Sequence, residues 1–78
     1  MVICGIAHRE GEYNGQKYNN YMLHCLRNAD EGKGEIGQIS EVLKVSSSVF
    51  EGLVGIDVGV NVLPLYDKFG RIIDLNIS

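Results

Sequence analysis

A two-residue turn near the start of the chain constrains its fold more than any other feature. Asn14 and Gly15 form the pair that a type I′ β-hairpin turn favours, because both central positions of that turn need a positive φ. Residues typical of β-strands flank the pair on both sides. The sequence therefore predicts an antiparallel hairpin with a first strand over residues 2–8 and a second over residues 18–27.

Simple alternation along the first strand assigns its side chains to two faces. Val2, Cys4 and Ile6 fall on one face, and the small residues and Arg9 fall on the other. Cys4 and Cys25 both lie in apolar strand patterns, so we expect two reduced, buried cysteines rather than a secreted disulfide scaffold.

A polar, glycine-rich loop over residues 28–37 separates the hairpin from a predicted third strand at residues 38–45. A short helix is expected next. A serine can cap its start, Glu51 stands three residues after Ser48 as in a capping box, and Gly52 can end it.

The last third of the chain predicts two more strands. Val58, Val60 and Val62 alternate in the fourth, and residues 71–77 form the fifth, whose predicted buried residues are Ile73, Leu75 and Ile77. Five short strands with a helix between the third and fourth is the element order of an OB-fold, whereas an SH3-like barrel has its helical turn nearer the end. We therefore expect an all-β protein, a single OB-fold-like domain over residues 1–78. It would be a five-stranded Greek-key barrel with one short helix between strands 3 and 4.

Charge is distributed unevenly along the sequence. The net charge is −3, and residues 29–57 carry two lysines against six carboxylates, a local balance of −4. Residues 1–28 carry three cations against two carboxylates. A locally basic face is therefore compatible with an acidic chain, although nucleic-acid-binding domains are more often basic overall.

Signals for catalysis or for a metal are weak. The two histidines stand in apolar strands, and Cys25 with His8 or His24 would lack a third, orienting group. The cysteines and histidines do not have the close spacing of zinc ligands. We expect no enzymatic activity, no catalytic residues, no metal and no cofactor. The sequence has no signal-peptide pattern or membrane-spanning run, so a cytoplasmic location without membrane association is expected.

Aromatic and cationic residues concentrate on the first and last hairpins. Exposed rings beside cations are what proteins use to stack bases and to hold phosphates. The candidate nucleic-acid-binding residues are Arg9, Tyr13, Lys17, Tyr18, Tyr21, Tyr66, Lys68, Phe69 and Arg71. Cross-strand aromatic pairs also stabilise hairpins, and Tyr13 and Tyr18 are candidates for such a pair facing each other across the turn.

Three segments resemble the filamentous-phage helix-destabilising family of small single-stranded DNA-binding proteins. They are Gly15-Gln16-Lys17-Tyr18 before a strand with a cysteine, Val42-Leu43-Lys44-Val45, and the late hairpin Tyr66-Asp67-Lys68-Phe69-Gly70-Arg71. The resemblance implies a dimer that stacks bases on Tyr13, Tyr18, Tyr21 and Phe69. It also implies phosphate contacts by Arg9, Lys17, Lys68 and Arg71.

Two functions are compatible with these features. The first is sequence-tolerant binding of single-stranded DNA or RNA in phage or mobile-element replication, by a small homodimer. The second is a small acidic β-barrel module that inhibits or adapts a host protein, using the same tyrosines as anchors. A basic partner surface would complement the acidic middle of the chain.

Overall fold

The computed structural model describes residues 1–77, which form two antiparallel sheets and two short helical segments. The first sheet has the order β1-β2-β3, with β1 at Val2–Tyr13, β2 at Gln16–Asn28 and β3 at Gln38–Ser46. The second sheet pairs β4 (Val62–Tyr66) with β5 (Ile72–Ile77). A 3₁₀ turn at Glu31–Lys33 lies in the loop before β3, and helix α1 (Ser47–Glu51) follows β3.

The predicted first turn is confirmed. Asn14 has φ 51° and Gly15 has φ 77°, as a type I′ turn requires, and the closing pair is Tyr13 with Gln16. Both strands are longer than predicted and run up to the turn itself. The resulting hairpin gives the molecule an elongated shape, with a longest dimension of 43 Å.

The predicted five-stranded OB-fold-like Greek-key barrel is wrong, because the described residues do not form a closed barrel. The two sheets meet at a single bridge between Val2 and Asn61, supported by a hydrogen bond of 3.0 Å from the Ile3 amide to the Val60 carbonyl. No ladder joins β3 to β5 within residues 1–77. The molecule therefore consists of a three-stranded sheet and a two-stranded sheet that do not close into a barrel.

The fourth strand explains why the barrel stays open. The alternating valines predicted a strand that includes Val58, yet β4 begins only at Val62. Gly55 and Gly59 have φ of 81° and 91°, and the Asp57 carboxylate accepts a hydrogen bond from the Val58 amide. Positive φ at two glycines bends this segment into turns. Within residues 1–77, the five-residue strand that remains forms a ladder with β5 alone, and its Val62 amide donates to the Met1 carbonyl.

One hydrophobic core lies between the two sheets. Its buried residues are Ile3, Leu23, Cys25, Leu43, Val45, Val62, Ile72 and Leu75. Burial of both cysteines was expected, but only Cys25 is buried and Cys4 is exposed. The cause is a register shift between Ile3 and Gly5, which inserts Cys4 as an extra residue in β1.

A second irregularity changes which isoleucines of β5 are buried. Leu75 is buried as predicted, but Ile73 is exposed and Ile72 enters the core in its place. Ile77 is also exposed, at the end of the strand. The register between β4 and β5 shifts between Leu65 and Tyr66, so that Ile73 becomes the extra residue. Simple alternation along β5 therefore fails at this point.

Helix α1 is confirmed as the one α-helix of the described chain, but the expected capping box of Ser48 with Glu51 is wrong, because Ser46 is the N-cap and Glu51 is the last helical residue. The Ser46 hydroxyl accepts the Val49 amide, and Gly52 ends the helix. None of the helices in residues 1–77 has the length and apolar character needed to cross a membrane.

Candidate nucleic-acid interface

The strand register divides the side chains of the three-stranded sheet between two faces. The inner face carries the core residues of β1, β2 and β3. We call the opposite side the outer face; it comprises the odd-numbered residues of β1 from Gly5 to Tyr13 and the even-numbered residues of β2 and β3. Directly paired residues of antiparallel strands point to the same side, so this assignment follows from the pairing alone.

All carboxylates of the three strands are on the inner face. Glu10 and Glu12 of β1 and Glu41 of β3 have inner-face positions, while the outer face has the cations Arg9 and Lys44. Neither cation forms an ion pair within residues 1–77. The outer face of a chain of net charge −3 therefore has no carboxylate at its own strand positions and carries two unpaired positive charges, although Glu10 and Glu12 join Tyr18 in lining a cavity at the hairpin tip.

Two predicted tyrosines belong to the outer face at the tip of the hairpin. Tyr13 is 74% exposed and Tyr18 is 45% exposed. The predicted direct pairing of these rings is wrong, because Tyr13 lies opposite Gln16 and Tyr18 lies opposite Gly11. The two tyrosines are therefore diagonal neighbours on one face, a spacing that leaves room beside each ring.

Tyr21 and Lys17 are placed differently, on the inner face. The Tyr21 ring is stacked between His8 and Phe50, with centroid distances of 4.4 Å and 3.8 Å and interplanar angles of 8° and 12°. Because both of its faces are covered, Tyr21 can stack a base only if this arrangement breaks. Its position links α1 to the hairpin, and His8 Nε2 is also hydrogen-bonded to Asn19 Oδ1.

A cleft of about 650 Å³ separates β3 from the β4–β5 hairpin and continues the outer face. Asn20, Lys44 and Ser46 line its first wall, and Tyr66, Asp67 and Arg71 line the opposite one, where Asp67 is paired with Arg71. The cleft thus brings two predicted residues of the last hairpin next to Lys44. The sequence offered no signal that Lys44 shares a site with them, since β3 and β5 are not hydrogen-bonded neighbours.

Asp67 organises the turn of the second hairpin. Its Oδ1 accepts the amides of Phe69 and Arg71 at 2.8 and 2.9 Å, and its Oδ2 accepts Arg71 Nε at 3.0 Å. The backbone hydrogen bond from Arg71 is the main reason that the pKa of Asp67 lies below its ordinary value. The carboxylate therefore stays ionised and holds the turn in one conformation.

The same turn presents an aromatic ring beside two cations. Phe69 is 70% exposed, and Lys68 Nζ and Arg71 Cζ each lie 5.2 Å from its ring centroid. Cations at this distance are attracted to the ring face. Four of the predicted residues are thus assembled in this hairpin; Tyr66 and Arg71 line the cleft, and Lys68 and Phe69 lie in the turn between them.

Arg27 neutralises part of the acidic middle of the chain. Its guanidinium forms a bidentate ion pair with Glu35 at 2.8 Å, and its Nε donates to Glu41 at 2.7 Å. Arg27 is chiefly responsible for lowering the pKa of Glu35 to about 2. This cluster ties the loop before β3 to the sheet and reduces the charge of its two carboxylates from −2 to a net −1.

The ion pair predicts a stability that depends on pH. The folded-state pKa of Glu35 is about 2 against an ordinary value of 4.5, so its contribution is complete above pH 4.5 and is lost as the pH falls towards 2. Glu35→Gln should lower the free energy of unfolding at neutral pH, and the difference from the wild type should shrink through this window. Chemical denaturation at a series of pH values measures it. Glu31→Gln, which removes a loop carboxylate outside the cluster, is the control for the loss of one negative charge. A Glu35→Gln difference independent of pH would show that the ion pair does not stabilise the fold.

The fold does not arrange Cys25 and a histidine as a nucleophile and its base. Cys25 is fully buried on the inner face, while the even number of His24 places it on the outer face. His8 is on the inner face, but its ring is stacked on Tyr21 and hydrogen-bonded to Asn19. Burial raises the pKa of the Cys25 thiol, which opposes formation of the reactive thiolate. Within residues 1–77, no three histidine, cysteine or acidic side chains are grouped as metal ligands would be.

Comparison of the chain with family models, with curated proteins and with solved structures finds no match. Its function is therefore inferred from the geometry of the outer face and the adjoining cleft.

Proposed function

We propose that the protein binds single-stranded nucleic acid, DNA or RNA, across the outer face and into the cleft between β3 and β5. The observation that carries this proposal is the separation of charge: Arg9 and Lys44 occupy a face from which every carboxylate of the three strands is excluded. A polyanion gains from such a face even when the net charge of the protein is negative, because screening limits repulsion from distant acids.

Exposed aromatic rings supply the second element of the proposed interface. Tyr13 and Tyr18 lie at one end of the outer face, Tyr66 lines the cleft, and Phe69 is exposed in the turn that follows Tyr66. Stacking on such rings contributes roughly 1–3 kcal/mol per base and tolerates any sequence, since every base has a π-face. A paired strand keeps its bases stacked within the duplex, so this mode of binding selects single strands.

The proposal also includes a biological role and an oligomeric state. The resemblance in the hairpin segments favours a cytoplasmic protein that covers single strands during phage or mobile-element replication, and it favours a homodimer. A core of eight buried residues is small, and a second copy would add buried surface. Light scattering that finds only an 8.6 kDa species would reject the dimer. The protein concentration should be on the order of tens of micromolar, where weak dimers are populated.

The alternative, an acidic module that binds a basic host protein, is supported less well. Glu35 and Glu41 share a single cation, Arg27, so one of the two negative charges that would attract a basic partner is already neutralised. Binding to a basic protein without any affinity for oligonucleotides would favour this alternative.

A fluorescence-anisotropy titration with labelled oligothymidine tests the proposal directly. We expect binding in about 50 mM salt that weakens steeply towards about 200 mM, because phosphate contacts release counterions. Tyr18→Ala and Phe69→Ala should each weaken binding by about tenfold, the effect of removing one stacked base. An absence of binding at micromolar protein in the lower salt would overturn the proposal.

A further inference from the structure

Gly11 makes the closest approach to a side chain of any glycine in the described chain. It lies in β1 opposite Tyr18 of β2. A Cβ placed on Gly11 would be 2.5 Å from the Tyr18 Oη and 2.7 Å from its Cζ. The outer half of the tyrosine ring therefore lies across the Gly11 backbone, in space that any side chain would fill.

The backbone conformation does not explain why glycine occupies this position. Gly11 lies inside β1, in extended backbone that other residues adopt, whereas Gly15 in the turn has φ 77°. What glycine provides at position 11 is the open surface on which the ring rests. A ring covering a strand glycine can stabilise a hairpin, and that structural role is the one to be separated from a role in binding.

The position of the ring suits a ligand contact. One side of Tyr18 faces β1, yet 45% of the residue remains exposed, so the other side is open. The next pair on the same face is Arg9 with Asn20, about 6.8 Å further along the strands. The Arg9 guanidinium, which forms no ion pair in the described chain, is therefore the next cross-strand neighbour of the Tyr18 ring. That ring already rests on Gly11.

We propose that Gly11 is a positioning residue, which holds Tyr18 flat against β1 as a preformed platform for one unpaired base, with Arg9 next to it for a phosphate. This inference rests on the proposed function. A ring that is ordered before binding loses little conformational freedom when the base arrives, so the platform raises affinity without adding a contact.

Gly11→Ala tests the platform, because the added methyl group has to displace the ring. We expect binding of labelled oligothymidine in low salt to weaken by about three- to tenfold. In a Tyr18→Ala background, the same substitution should change affinity by less than about twofold, since no ring is left to displace. Gly5→Ala adds a methyl group on the same strand where the nearest atom is 3.8 Å away, and it should have a smaller effect than Gly11→Ala.

Two measurements separate positioning from a loss of folding. Thermal melting of each variant reports stability, and nuclear Overhauser contacts between the Tyr18 ring and the Gly11 α-protons report the platform in the free wild-type protein. We expect these contacts in the wild type, and their absence would overturn the inference without any binding data.

The outcomes distinguish the positioning of Tyr18 by Gly11 from the proposed binding of single-stranded nucleic acid. A wild-type protein that does not bind oligothymidine would overturn the proposed function and the platform together. A wild-type protein that binds, with Gly11→Ala binding equally well, would overturn the platform alone. Equal losses from Gly11→Ala with and without Tyr18 would assign glycine a purely structural role.

Discussion

Reversing both charges of the outer face should remove most of the affinity for single strands. Arg9→Glu combined with Lys44→Glu is expected to weaken oligothymidine binding by roughly 100-fold or more in low salt. Hydrogen bonds to charged groups contribute about 1.5–3 kcal/mol each, and every 1.4 kcal/mol corresponds to about a tenfold change in affinity. The dependence of binding on salt should also become shallower, by about 0.7 in the logarithmic slope for each phosphate that the variant no longer neutralises.

A second double variant controls for net charge. Lys17→Glu with Lys33→Glu makes the same change in total charge, but Lys17 lies on the inner face and Lys33 in the loop before β3. We expect affinity to fall by no more than about fivefold, from long-range repulsion screened by salt. Equal losses in the two double variants would show that binding responds to total charge, and the assignment of the outer face would then be wrong.

Local sequence signals predicted the local structure well. The turn at Asn14 and Gly15 depends on the conformations of two residues, and the end of α1 at Gly52 depends on a single cap. Closure of a barrel depends on pairing between distant strands, which local patterns do not report. The alternating valines around Val58 matched a strand, but the glycines of this segment adopt positive φ and turn the chain.

The candidate site was predictable in its residue types and only partly in its arrangement. Simple alternation grouped Cys4 with Val2 and Ile6, because it could not include the extra residue inserted before Gly5. A shift of one residue reverses the face of every side chain beyond it. Arg9 of β1 and Lys44 of β3 share a face because of two strand registers, that of β1 with β2 and that of β2 with β3. Tertiary pairing sets both registers.

Tyr21 is an aromatic residue whose surroundings local sequence patterns did not predict. Its place among hairpin tyrosines suggested exposure, and its odd position in β2 instead directs it to the inner face with Leu23. Helix α1 then supplies Phe50, which covers one side of its ring. This cover comes from an element beyond β3, and the local propensity of β2 carries no information about it.

Leu23→Ala should lower the free energy of unfolding more than any other substitution proposed for this protein. Leu23 is fully buried at the centre of β2, opposite Ile6 on one side and Leu43 on the other. Truncating a buried leucine costs about 2–5 kcal/mol, because apolar surface is no longer buried and a cavity remains. A chain of this size has roughly 4–12 kcal/mol of total stability, so the variant should lose a large part of it.

Leu63→Ala provides a matched control for Leu23→Ala, because it makes the same chemical change in β4 at a residue that is 58% exposed. A surface truncation of this kind should change the free energy of unfolding by no more than about 0.5 kcal/mol. Urea denaturation of the wild type and the two variants measures both effects on one scale. Similar losses for the two leucines would contradict a core centred on β2. A large loss for Leu63 alone would show that β4 is covered in solution, as a second copy packed on the smaller sheet would cover it.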